Sequence, residues 1–123
     1  MNIDLHCHSN VSDGALPPTE VVRLAKENGA KLLALTDHDN LQGLPAARAE
    51  AARLDLPFVN GVEVSITWNS KVIHIVGLNM RDEAPELQAA LDTLRSGRIT
   101  RLQLMSEKLE KKGIAGAYDG ALA

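Results

Sequence analysis

The chain has 123 residues, of which 45% are hydrophobic and 24% are charged, and its net charge is −3. This composition is typical of a globular domain with a real core, and the charge provides no basic field that would attract nucleic acid or an anionic membrane surface. The single cysteine, Cys7, excludes an intrachain disulfide framework. Because the sequence shows neither a signal peptide nor a long apolar run, we expect a cytoplasmic protein without membrane contact.

Residues 1–80 alternate between the periodicities of strands and helices. Strand patterns occupy residues 2–8, 30–39, 56–67 and 71–80, and helix patterns occupy residues 17–29 and 44–55. The last two strand patterns are separated by "WNS", a span short enough for a hairpin. Strands that alternate with helices are typical of an α/β fold, and we predict that class here.

From residue 82 the pattern changes to one long amphipathic stretch. Leucine and methionine recur at helical spacing as far as residue 112, and Ser96-Gly97 would interrupt the helix. Residues 113–123 are rich in glycine and alanine and show no clear periodicity. We therefore divide the chain into residues 1–80 and a helical segment, residues 81–123.

Polar residues cluster at or near the ends of the predicted strands. In α/β folds, functional groups gather at the carboxyl ends of parallel strands. All four histidines of the chain fall at such positions or within a strand, together with several acidic residues. The set consists of His6, His8, Asp13, Asp37, His38, Asp39, Glu63 and His74. The pattern predicts a functional site at one end of the sheet.

The residue types in this set indicate a metal centre. His6 and His8 are two positions apart, so their imidazoles share a strand face and can bind one ion together. Asp13 and Glu63 add carboxylates, which can bridge two ions. A donor set of nitrogen and oxygen suits Mn²⁺, Zn²⁺ or Fe²⁺, and two or three such ions are a usual device for hydrolysing phosphate esters. Without a cation, at least one of the two carboxylates should have a raised pKa.

The remaining polar candidates allow more than one role. Asp37 and Asp39 are metal ligands, acceptors that support His38 from behind, or helix-capping residues. Ser9 is a turn residue or a hydroxyl that binds substrate phosphate. Arg95, Arg98 and Arg101 recur every three residues, as on a solvated helix face, while Arg98 and Arg101 are also candidates for binding substrate phosphate. Cys7 points away from the histidines and is interpreted as a small core residue.

Four sequence stretches together resemble the PHP (polymerase and histidinol phosphatase) domain. They are "DLHCHSNVSDG", "LALTDHD", "GVEVS" and "HIVG", and their order and spacing match the family as far as about residue 80. The resemblance implies the N-terminal part of a distorted, TIM-like β/α barrel, followed by a helical insertion. It also implies two or three divalent ions, with Mn²⁺ first and Zn²⁺ or Fe²⁺ as alternatives. The ligands carried over are His6, His8, Asp13, His38, Glu63 and His74.

The resemblance also implies a function. Asp13 stands where several members have histidine, as in the subgroup of 3′,5′-nucleoside bisphosphate phosphatases and short-RNA 5′–3′ exonucleases. We therefore expect a metal-dependent phosphoesterase that hydrolyses a nucleotide phosphate or a short RNA with metal-activated water. A histidinol-phosphate-type phosphatase and a non-catalytic, metal-stabilised PHP module are the alternatives. Because the family draws further ligands from later strands and no histidine follows His74, we expect the C-terminal half of the barrel as a missing partner.

Overall fold

The computed structural model describes residues 1–123. The chain forms two compact units, Met1–Leu91 and Asp92–Ala123. The first unit contains four strands in the order β1-β2-β3-β4. These strands are β1 (Ile3–Cys7), β2 (Leu32–Leu35), β3 (Phe58–Trp68) and β4 (Lys71–Leu78). Helix α1 (Pro18–Glu27) connects β1 to β2, and helix α2 (Leu44–Arg53) connects β2 to β3.

The sheet combines parallel and antiparallel pairing. Strands β1, β2 and β3 are parallel neighbours, while β4 returns antiparallel to β3 over its whole length. A two-residue turn joins β3 to β4, and both of its residues, Asn69 and Ser70, have positive φ (46° and 61°), which suits the twist of a hairpin. The predicted α/β class and the predicted hairpin are both confirmed.

A small apolar core holds the parallel strands and the first two helices together. Its buried residues come from α1, β2, α2 and the connections between them, and they include Val22, Leu33, Leu35, Leu44, Ala47, Ala51 and Leu56. Both helices carry proline in their first turn, where an N–H is not needed. Cys7 packs against this core, and burial, followed by the charges of Asp4 and Asp37, raises the pKa of its thiol to about 12. The thiol is therefore unreactive near neutral pH.

The C-terminal part of the chain is more regular than the sequence pattern predicts. Helix α3 (Pro85–Glu110) passes through Ser96-Gly97 without interruption, so the predicted break is wrong. A single glycine costs a helix only about 1 kcal/mol, and good helix formers flank it on both sides. A short helix, α4 (Ala117–Leu122), lies in the tail that shows no periodicity. None of the helices is long and apolar enough to cross a membrane.

Candidate metal centre

The candidate ligands meet where the parallel part of the sheet ends. Parallel pairing between β2 and β3 stops at Leu35 and Asn60, and an isolated bridge then joins His38 to Glu63. The main chain continues the pattern, since Glu63 donates its N–H to the Asp37 carbonyl and Asp39 donates to the Glu63 carbonyl. Glu63 therefore lies at the middle of β3 but at the carboxyl edge of the parallel sheet.

The Glu63 carboxylate is the centre of the cluster. Its Oε2 lies 2.7 Å from His6 Nε2, 3.0 Å from His8 Nε2 and 3.7 Å from His38 Nε2. Its other oxygen, Oε1, lies 3.1 Å from His74 Nδ1. The side chain of Glu63 is only 8% exposed. All four histidines of the chain thus surround one buried carboxylate.

The four imidazoles form a row in chain order. Ring centroids are 5.2 Å apart between His6 and His8, 4.6 Å between His8 and His38, and 4.9 Å between His38 and His74. Three overlapping groups bring their potential ligand atoms within 4.8 Å of one another, and they are His6–His8–Glu63, His8–Asp13–His38 and His38–Glu63–His74. The first and third groups share Glu63, and a carboxylate can bind two ions through its two oxygens, so the arrangement can hold adjacent ions.

Asp13 closes the row from the loop between β1 and α1. Its carboxylate oxygens lie 3.6 Å from His8 Nδ1 and 3.5 Å from His38 Nε2. These separations are longer than an ordinary hydrogen bond. Asp13 is also the most exposed of the ligands, with 66% of its side chain accessible. It therefore faces the cluster from the solvent side and leaves room for an ion.

The charge balance at Glu63 differs from the sequence expectation. Burial raises the pKa of Glu63, but the hydrogen bond to His6 and the charges of His38, His6 and His8 outweigh it, so the net shift of this pKa is downward. The raised pKa predicted for one of the two carboxylates is therefore wrong for Glu63. The prediction considered repulsion between carboxylates and omitted the three imidazoles that lower this pKa.

The donor set fits divalent metal ions. The Nδ1 atoms of His8 and His38 are buried and have no hydrogen-bond partner, which is costly for a nitrogen that binds nothing. The available donors are imidazole nitrogen and carboxylate oxygen, and Cys7 does not join any of the three groups. Such a set suits borderline and hard divalent ions such as Zn²⁺, Fe²⁺ or Mn²⁺.

Asp37 is buried behind the cluster and holds the loop after β1. It is 2% exposed and belongs to none of the close groups of potential ligands. Its Oδ1 accepts hydrogen bonds from the Ser9 N–H and the Ser12 hydroxyl, both at 2.7 Å, and its Oδ2 accepts the Ser9 hydroxyl at 2.7 Å. Ser9 is fully buried by this contact. Its predicted role in binding substrate stays a prediction.

Asp39 is also fully buried, and it holds β3. Its Oδ1 accepts the Ser65 N–H at 2.7 Å. Arg98 and Arg101 lie on the part of α3 that belongs to the second unit, and both are exposed. Phosphate binding by these arginines stays a prediction.

Two glycines that the sequence interpretation did not use allow the close approach of the ligand-bearing segments. A Cβ at Gly61 would lie 2.6 Å from Thr36 Cγ2, and one at Gly14 would lie 2.5 Å from the His8 carbonyl oxygen. Gly61 interrupts a strand pattern, which is itself a signal of close backbone approach. That signal was available in the sequence.

Comparisons with known proteins agree with this geometry. The family model described as "PHP domain" matches residues 4–111. A 3′,5′-nucleoside bisphosphate phosphatase of Chromobacterium violaceum is 53% identical over 121 residues, which cover 98% of this chain and 42% of that protein. The 5′-3′ exoribonuclease Rnm of Escherichia coli is 42% identical over 120 residues, which cover 96% of this chain and 41% of that protein.

Solved structures extend the similarity to three dimensions. A Chromobacterium violaceum structure, named as an amidohydrolase with bound sulfate and no metal, superposes with a TM-score of 0.89 at 52% identity and covers 99% of this chain and 43% of its own. A protein of Bifidobacterium adolescentis, named as a metal-dependent phosphoesterase, has a TM-score of 0.82 at 25% identity and covers 90% of this chain and 39% of its own.

The chain spans less than half the length of these relatives. Its parallel strands, helices and hairpin correspond to the N-terminal part of a TIM-like barrel, as the sequence predicts. The matched motifs, the converging ligands and the superposed folds together lead to one conclusion: the chain belongs to the PHP domain family.

Proposed function

We propose that this chain supplies the metal centre of a metal-dependent phosphoesterase that acts on a nucleotide phosphate or a short RNA. The observation that carries the proposal is the buried Glu63 carboxylate, which lies within 4 Å of all four histidines. A carboxylate surrounded by imidazoles is suited to bridge ions and to hold them close together.

Divalent ions bound there would lower the pKa of water and neutralise negative charge on the phosphoryl oxygens. The chain's own residues set the geometry. Glu63 and the partly buried imidazoles of His8 and His38 would fix the inner positions, since only 22% and 15% of these two side chains are exposed. Asp13 lies on the solvent side and would present its carboxylate next to the reacting phosphate. We propose Mn²⁺ as the principal ion, with Zn²⁺ or Fe²⁺ as alternatives.

Similarity supports the substrate class. One relative is named as a 3′,5′-nucleoside bisphosphate phosphatase and another as a 5′-3′ exoribonuclease. We therefore place the substrate among nucleoside bisphosphates and short RNAs in preference to histidinol phosphate. We also propose residues 1–80 as barrel and residues 81–123 as the start of an insertion, in a cytoplasmic protein whose remaining barrel strands come from a further segment.

The test is a phosphate-release assay with Mn²⁺ on a 3′,5′-nucleoside bisphosphate, a short 5′-phosphorylated RNA and histidinol phosphate. The chain is assayed alone and fused to the downstream half of the Chromobacterium violaceum phosphatase, with Glu63→Gln as the matched inactive variant. We expect the fusion to release phosphate from the bisphosphate or the RNA by orders of magnitude faster than the chain alone. A fusion that binds Mn²⁺ but hydrolyses none of the three would favour a non-catalytic module, and faster turnover of histidinol phosphate would contradict the nucleotide assignment.

A further inference from the structure

Two buried carboxylates, Asp37 and Asp39, flank His38 in the sequence. Asp37 is 2% exposed and Asp39 is 0% exposed. Neither belongs to the three groups of converging ligand atoms. A buried carboxylate is costly unless several donors satisfy it, so the donors that surround each one indicate its task.

We infer that Asp37 and Asp39 are positioning residues for the metal centre, which hold the Asp13 loop and the Glu63 segment of β3, respectively. The inference rests on the proposed metal centre and extends it to residues that would bind neither metal nor substrate. The two aspartates are the neighbours of His38 in sequence. One short stretch of chain thus supplies a ligand and fixes the segments that carry two others.

Asp37 holds the loop by hydrogen bonds from Ser9 and Ser12, and Ser12 directly precedes Asp13. Three donors, the Ser9 N–H, the Ser9 hydroxyl and the Ser12 hydroxyl, converge on its two oxygens at 2.7 Å each. The loop is folded tightly around the same point, because Ser12 and Gly14 both donate their N–H groups to the Ser9 carbonyl. Asp13 lies between these two residues. Its own side chain is largely exposed, so the placement of its carboxylate depends on the loop.

Asp39 contacts the main chain of β3 at two residues, Glu63 and Ser65, which lie on either side of Val64. Its main-chain N–H donates to the Glu63 carbonyl at 3.0 Å, and its Oδ1 accepts the Ser65 N–H at 2.7 Å. Its φ of 49° lies in the left-handed region, which aspartate tolerates better than most residues. Main chain and side chain together fix the register of β3 at Glu63.

The two contacts place different demands on the side chain. Asp37 accepts from three donors, and an asparagine in its place would turn an NH₂ group toward at least one of them. Asp37→Asn keeps the size of the side chain, so it removes a hydrogen bond with little change in packing. An asparagine at position 39 could still accept the Ser65 N–H through its Oδ1, so Asp39→Gly is the variant there, because glycine removes the acceptor and tolerates the left-handed φ. Glu50→Gln is the matched control, because Glu50 is a buried carboxylate that accepts hydrogen bonds from Arg23 and Arg53 on α1 and α2, away from the ligands.

The experiment measures Mn²⁺ affinity by calorimetry and main-chain hydrogen exchange in the wild-type chain and the three variants. We expect Asp37→Asn and Asp39→Gly each to lower Mn²⁺ affinity by about 10- to 100-fold, and Glu50→Gln to leave it unchanged. Exchange should accelerate about tenfold or more at residues 9–14 in Asp37→Asn and at residues 63–65 in Asp39→Gly, without a change at the other site. Ser12→Ala removes one of the three donors to Asp37, so it should reproduce part of the Asp37→Asn effect. Ser12→Thr keeps the hydroxyl and should retain the Mn²⁺ affinity and the exchange rates of wild type.

The possible failures are separable. If the wild-type chain binds Mn²⁺ but the completed protein hydrolyses no phosphoester, the proposed function fails and the positioning roles stand. If Asp37→Asn and Asp39→Gly both bind Mn²⁺ as tightly as wild type, the positioning roles fail and the proposed function stands. Unchanged exchange at residues 9–14 in Asp37→Asn would overturn the inference independently of any metal measurement, as would an equal loss of affinity in Glu50→Gln.

Discussion

The inner ligands of the cluster and the ligands at its margins are held in different ways. His8, His38 and Glu63 have side chains that are 22%, 15% and 8% exposed, and they lie beside buried backbone and buried aspartates. His6 and His74 are 53% and 44% exposed. His74 lies on β4, where Val72 is 60% and Ile75 is 51% exposed, and which pairs only with β3.

This difference indicates that one half of the site is pre-organised and the other half is adjustable. Burial restricts the inner imidazoles, and main-chain hydrogen bonds with Asp37 and Asp39 fix the segment of Glu63, so less conformational entropy is lost there on binding. The marginal imidazoles contact Glu63 but stay about half exposed, so the ion must order more of each side chain. Substitutions of inner ligands should therefore weaken metal binding more than substitutions of marginal ones.

The largest expected effect follows Glu63→Gln. Because this carboxylate is shared by two of the three ligand groups, its loss affects more than one ion position. We expect Mn²⁺ affinity to fall by more than about 100-fold, beyond the effect of removing a supporting residue. Calorimetric titration measures this, and circular dichroism verifies the fold. Affinity within a few-fold of wild type would show that Glu63 is not the bridging ligand.

The next largest effect comes from a direct comparison of Mn²⁺ affinity after replacing one inner and one marginal histidine. His38→Ala removes a ligand that belongs to two groups, whereas His74→Ala removes a ligand that belongs to one. Both changes delete the same side chain, so each is the control for the other. We expect the loss of Mn²⁺ affinity to be about tenfold greater for His38→Ala. Equal losses, or a greater loss for His74→Ala, would contradict the division into inner and marginal ligands.

Gly14→Ala tests the loop that carries Asp13. The new Cβ would lie 2.5 Å from the His8 carbonyl oxygen and 2.8 Å from the Ser9 carbonyl carbon, so the backbone must shift. We expect a loss of about 1–3 kcal/mol in the free energy of unfolding, together with weaker Mn²⁺ binding. Chemical denaturation and titration measure the two quantities. Gly97→Ala, where no atom lies within 4 Å, is the control: it should leave Mn²⁺ binding unchanged, and, because alanine favours a helix, it should raise the free energy of unfolding by up to about 1 kcal/mol.

Glu50→Gln should leave Mn²⁺ affinity unchanged but should alter how the free energy of unfolding depends on pH. Hydrogen bonds from Arg53 and Arg23 lower the pKa of Glu50 to about 2. A lowered pKa in the folded state means that Glu50 stabilises the fold above its ordinary pKa of about 4.3 and that this contribution disappears as the pH falls toward 2. Denaturation between pH 6 and pH 2 should show a shallower decline in Glu50→Gln than in wild type. Identical slopes would contradict this assignment.

Much of the fold and the ligand set could be predicted from the sequence. The spacing of His6 and His8 indicates a shared strand face, and the placement of the other polar residues at strand ends is a local property of the pattern. The pKa of Glu63 could not be predicted, because it depends on how three imidazoles, from the segments of β1 and β2, converge on a residue of β3. The partners of Asp37 lie 25 and 28 positions away in the sequence, so no local pattern identifies them. The continuity of α3 through Ser96-Gly97 depends on the sum of weak propensities.

The most direct test of the metal centre is anomalous diffraction from crystals grown with Mn²⁺. The account predicts at least two anomalous peaks, each about 2.0–2.3 Å from imidazole nitrogen or carboxylate oxygen, with one peak bound to Glu63. In crystals of Glu63→Gln grown in the same way, the peak beside residue 63 should be lost or strongly reduced. Crystals of the wild-type chain that contain Mn²⁺ elsewhere, or none beside Glu63, would contradict the account.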